Sequence, residues 1–233
     1  MARLIVPGVD HQQVRRWLWS VHVADGTRAL TTAGRWQQAH DHLRHRNGIG
    51  QRMLDGRQVA VIAHATAGDS AGALALLRHT ASGEHWEDAV TACLTVLSDP
   101  GHTAQSSTTM LDRYQQLTYG TGLAVSHACL GLSVIDAAGG VKCERAHDVA
   151  AALIRQIAAS PDGYAAREVL AHEGCDAFLS GDQRSQLHDM VNMSGLGRRI
   201  PSTQVEAMLS AALATFEGII ARALEGVAVH PGD

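Results

Sequence analysis

Two small-residue turns set 34 residues apart constrain this chain more than any other feature. Ala33-Gly34 and Ala67-Gly68 each separate two runs whose apolar residues recur at intervals of three and four. In the same register Ala39 matches Ala73 and Leu43 matches Leu77, so both copies read A-G-x-x-x-x-A-x-x-x-L. A glycine after a helical run supplies the left-handed residue that ends it. The pattern therefore predicts two successive helical hairpins. A further shift of 34 residues lands on Gly101 and Leu111, with Ser107 at the alanine position. A fourth turn, Ala138-Gly139, is followed by Ala146 and Leu153 at a wider spacing.

A repeat of this length, with a small residue at the inter-helix turn and alanine where helices cross, resembles the tetratricopeptide repeat. The resemblance covers about residues 26–160, with two clear copies. It implies stacked antiparallel hairpins whose concave face binds a partner protein or a small molecule. An irregular helical bundle is the alternative architecture.

The rest of the composition agrees with an all-α chain. Ala, Leu, Gln, Arg and Glu dominate the periodic regions, and these are strong helix formers. No long stretch alternates apolar with polar residues. Residues 1–233 are expected to form one all-helical domain. A hairpin array would span 1–160, short helices and a linker 161–200, and an amphipathic helix 201–226. Within this plan a first helix ends near Asp25-Gly26, and 164–179 form one helix. The last helix carries Val205, Met208, Leu209, Ala212, Leu213, Phe216, Ile219, Ile220 and Leu224 at intervals of three and four. Such a helix either caps the array or docks on a partner, so a homo- or hetero-oligomer is expected through it.

Charge narrows the partners. The net charge is −4, Lys142 is the one lysine, and no basic tract occurs, which argues against nucleic acid. The Arg-over-Lys bias resembles that of GC-rich, actinobacterial-type sequences, in which small helical proteins of specialised metabolism are common. Apolar runs break before about 18 residues, so no membrane span is expected. Leu4-Ile5-Val6 is too short for a signal peptide, and a cytoplasmic location is the expectation. The four cysteines form no CxxC pair and read as reduced thiols.

Candidate chemistry rests on histidine, of which there are 14. His40, His42 and His45 share one polar helix and read as a solvated face. With no HExxH, no metal is expected, and with no glycine-rich phosphate loop, no cofactor is expected. His64 and His127 differ, because each interrupts an apolar run, and Asp136 follows Val134-Ile135 in the helix of His127. Burying such groups costs about 2 kcal/mol or more each unless they are paired. Each must find a partner or line a cavity, which makes His64, His127 and Asp136 the candidate acid–base residues. Arg57 lies two turns before His64 and could present a guanidinium beside it, with Asp55 at the start of the same helix. Arg113 and Tyr114 are candidates to line a groove.

Two functions follow from these residues. The first is a binding protein that holds a partner protein or a small anionic ligand in a concave groove. The second is a cofactor-free tailoring enzyme, a lyase or cyclase acting on a small polar substrate. Convergence of His64, His127, Arg57 and Asp136 on one cavity would favour the enzyme.

Overall fold

The structure, a computed structural model, describes residues 9–118, 122–140, 143–196 and 203–228. Every regular element among them is a helix. In chain order they are α1 (Val9–Thr32), α2 (Trp36–His45), α3 (Asp55–Thr66), α4 (Ser70–Arg78), α5 (His85–Ser98) and α6 (Ala104–Gln115). There follow α7 (Ala124–Ala137), α8 (Glu144–Ala158), α9 (Gly163–Ala171), α10 (Glu173–Asp176), α11 (Gly181–Met193) and α12 (Thr203–Ala228). The described residues fall into two compact units, 20–196 and 9–19 with 203–228.

In the larger unit each helix from α2 to α8 packs on the next in sequence. Contacts between next-but-one helices join α3 to α5, α5 to α7 and α7 to α9. Helical hairpins that stack side by side require both kinds of contact. The apolar interior is correspondingly divided. Val23, Ala39, Leu43 and Val59 form one cluster, and Met53, Val61, Ala73, Leu77 and Leu94 a second. A larger third cluster runs from Cys93 to Met190 around Ile135, Leu153, Ile154 and Ile157.

The 34-residue register maps onto this packing. Gly34 and Gly68 both adopt left-handed backbone, with φ of 70° and 79°. Ala39 and Ala73 are fully buried, and Leu43 and Leu77 are buried beside them. In the looser copies Leu111, Ala146 and Leu153 are also buried. Of these, Leu111 keeps the 34-residue register, whereas Ala146 and Leu153 follow the wider spacing of the fourth turn.

Two helix boundaries differ from the sequence reading. Asp25-Gly26 does not end a helix, because α1 runs through it to Thr32. Gly26 is there for a close approach: a Cβ at this position would lie 2.8 Å from the ring of His42 on α2. The expected helix over 164–179 is split into α9 and α10 at His172. Its ring Nδ1 accepts from the Cys175 backbone N–H at 3.2 Å, so the histidine caps a new turn instead of continuing the old one. Residues 1–8, most of the expected linker (197–202) and the tail (229–233) lie outside the described residues.

No helix among the described residues is long and apolar enough to cross a membrane.

Candidate functional site

The polar groups of the larger unit separate into three places. The most buried is where the last turn of α6, the first turn of α7 and the end of α8 meet. Tyr114 and His127 are both buried, and their rings stack at 4.8 Å with an interplanar angle of 20°. Gln156 on α8 completes the group, with Oε1 3.1 Å from His127 Nε2. A carbonyl oxygen can only accept, so Nε2 carries the ring proton. That proton also faces Tyr114 Oη at 3.0 Å, while the phenol donates to the His127 backbone oxygen at 3.3 Å. Burial lowers the pKa of His127, against a smaller upward pull from Gln156, so the ring is neutral at pH 7.

A glycine makes this stack possible. Gly131 lies one turn after His127, and a Cβ there would collide with Tyr114 Oη. The phenol therefore lies flat across the helix only because position 131 has no side chain.

The trio opens on a groove. Tyr114, His127, Leu153, Arg155 and Gln156 line a cavity of about 400 Å³. Gln156 and Leu117 also line the next cavity, of about 840 Å³, which continues past Thr118, Ser160 and Tyr164. Arg155 is exposed at the rim, and its Nε donates to the Ala151 backbone oxygen at 3.2 Å. Asp162 in the larger cavity is committed as the N-cap of α9, accepting from the Tyr164 and Ala165 N–H groups, each at 3.0 Å. The groove wall is thus mostly apolar, with a cation at one rim, hydroxyls along it and the Tyr114–His127–Gln156 group at one end.

His64 sits elsewhere and is not buried. It occupies the last turn of α3, where Nδ1 lies 2.7 Å from Asp69 Oδ2 across the hairpin turn. The other oxygen of Asp69 accepts from the Gly72 N–H at 2.8 Å and caps α4. That backbone bond, and then His64, hold the Asp69 carboxyl below the usual range. His40 faces the same ring, 5.3 Å away. The pKa of His40 is lowered by burial and by the neighbouring His64 and Arg44.

Arg57 corrects the sequence reading most clearly. It is buried, and it does not offer its guanidinium beside His64. Nε donates to Thr80 Oγ1 at 2.9 Å, Nη1 to the Gly50 oxygen at 2.8 Å and Nη2 to the Leu76 oxygen at 2.7 Å. The side chain pins the 46–54 loop to the end of α4. Asp55 is exposed at the first position of α3, where a carboxylate favours the helix dipole. Arg113, next to Tyr114, reaches back to the Asp88 oxygen on α5 at 3.2 Å.

Asp136 was expected to be buried and is exposed, in the last turn of α7. Its Oδ1 lies 3.1 Å from Nε2 of the largely buried His172. Because Nδ1 of that ring accepts from Cys175, Nε2 donates to the carboxylate. Nine residues along a helix rise about 13 Å, and His127 and Asp136 accordingly keep separate partners. Of the sequence candidates, then, only Tyr114 and His127 come together. Gln156 and Arg155 were not singled out, since a glutamine and an arginine in an amphipathic helix carry no signal. Gly131 did carry one, as a glycine inside an otherwise apolar helix.

Among the described residues, no three His, Cys, Asp or Glu side chains are grouped to hold a metal. The chain matches no family model, no curated protein and no solved structure.

Proposed function

We propose that this chain is a tetratricopeptide-like binding protein whose groove along α6, α7 and α8 holds a small anionic ligand. The observation that supports it is the joined pair of cavities, ending on Tyr114, His127 and Gln156 with Arg155 at the rim. An apolar wall with a few convergent polar groups is the usual make-up of a small-molecule site. Arg155 supplies a planar cation suited to a carboxylate or phosphate, and Gln156 and the serine and threonine hydroxyls supply neutral hydrogen bonds. The role first sought for Arg57 thus passes to Arg155.

The test is titration calorimetry with a panel of small carboxylates and phosphates. Binding that Arg155→Ala weakens about tenfold or more, with Arg57→Lys affecting stability instead, supports the reading. Binding indifferent to Arg155 and Gln156 contradicts it.

A second reading keeps the same site and adds chemistry. With Nε2 protonated toward Gln156 and Tyr114, the neutral ring keeps one basic nitrogen, Nδ1, which on this reading is the general base. On that reading the chain is a cofactor-free lyase or cyclase in specialised metabolism, and His127→Gln abolishes turnover while ligand binding survives. If turnover persists in His127→Gln, this second reading falls and the binding protein remains.

A further inference from the structure

The helix α12 presents a broad apolar face to solvent. Met208, Leu209, Leu213, Phe216, Ile219 and Ile220 are between 45% and 67% exposed. At roughly 200 Å² for each fully exposed large side chain, these six leave on the order of 700 Å² of apolar surface. That exceeds the few hundred Å² that a soluble monomer ordinarily shows in one patch.

The order of side chains along this face is symmetric. Met208 and Leu209 lie six and five residues before position 214, and Ile219 and Ile220 lie five and six after it. Ala212 and Phe216 are equally spaced about the same point, small on one side and large on the other. A two-fold interface needs a patch complementary to itself. Antiparallel pairing about position 214 supplies this, setting Met208 and Leu209 level with Ile219 and Ile220 of a second copy. Phe216 then lies over Ala212, large against small, as tight helix packing requires.

We infer that α12 pairs with α12 of a second copy, antiparallel and centred on position 214, making the chain a homodimer. Complete burial of both faces would remove up to about 1,400 Å² from water, inside the size class of stable interfaces. A membrane surface is the weaker candidate for this face. Helices that lie on membranes carry Lys and Arg on their polar side, whereas residues 203–220 carry Glu206, Glu217 and no basic residue. The inference stands independently of the ligand groove.

Light scattering after gel filtration of the full chain, at tens of micromolar, tests it. The expected mass is twice the 24.7 kDa of one chain. The doubly substituted Leu209→Glu/Phe216→Glu chain should run at the single-chain mass with its far-UV circular dichroism unchanged. For orientation, Leu209→Cys/Ile219→Cys should oxidise to a covalent dimer, and Ile219→Cys alone should give none beyond wild type. A monomeric wild type overturns the proposal, and so does a dimer that survives the double glutamate. Cross-linking through Ile219→Cys alone would show parallel pairing and overturn the register. A monomer that binds vesicles rich in anionic lipid would assign the face to a membrane instead.

Discussion

His64 and His127 look alike in sequence, each breaking an apolar run, and the fold treats them in opposite ways. His64 lies in the last turn of α3, at the hairpin bend, and meets Asp69 only five residues on. His127 lies in the first turn of α7, on the side that faces α6 and α8, and its partners come from 13 and 29 residues away. A polar group near a turn can be satisfied locally and stay half-exposed. One held between three helices must be satisfied by all of them, and it leaves a polar wall in an otherwise apolar interior. Position along the hairpin, and not the apolar context, separates a fastener from a candidate site.

Substitutions sharpen this contrast. The largest effect is expected at Tyr114, which is buried across the helix of His127. Tyr114→Ala should cost about 3–5 kcal/mol in a denaturant titration, whereas His64→Ala should cost under about 1 kcal/mol, as for exposed pairs. Equal losses would erase the distinction.

Next come the two glycines that make room. A Cβ at Gly131 meets the phenol of Tyr114, which can give way only by leaving its stack on His127, and Gly131→Ala should destabilise by about 1–3 kcal/mol. At Gly72 the added Cβ meets the exposed ends of Asp69 and His64, which can swing outward. Gly72→Ala is therefore expected to change the melting temperature little, helped by the helix preference for alanine of about 1 kcal/mol.

The smallest effect is in pH. His127 has a lowered pKa in the fold, so its neutral form is the stable one there. Stability from this group is intact above the unfolded value of about 6.5 and is lost as pH falls below it. Asp69 is also lowered, but it is a carboxylate, so its contribution is lost only as pH falls through the carboxylate range. Melting temperatures measured from pH 8 to about pH 2 should show the earlier loss in wild type and not in His127→Gln. Asp69→Asn should remove only the later one.

Much of the helical architecture was legible because it is written locally. The turn glycines, the buried alanines and the three-and-four spacing each depend on a few neighbouring residues, and they placed nearly all the helices. The misread boundaries have a tertiary cause. Gly26 resembles a helix stop but serves the contact of α1 with His42, and His172 caps a turn from within an apolar stretch. The candidate site was half legible. His127 was conspicuous as a polar break in an apolar helix, and Tyr114 was named beside Arg113 only as a residue that could line a groove. Gln156 and Arg155 became visible only when α8 was laid beside α6. Arg57 misled because seven residues of spacing gives a shared face but not the carbonyls of Gly50 and Leu76, which draw the guanidinium away.

On the proposed function the ligand site lies at His127 and not at His64. Amide and histidine-ring NMR of the full chain, titrated with the small carboxylates and phosphates, tests it most directly. Perturbations are expected at Tyr114, His127, Arg155 and Gln156, with His127 protonated at Nε2 alone at pH 7. Perturbations gathered on His40, His64 and Asp69, or none anywhere, would contradict it.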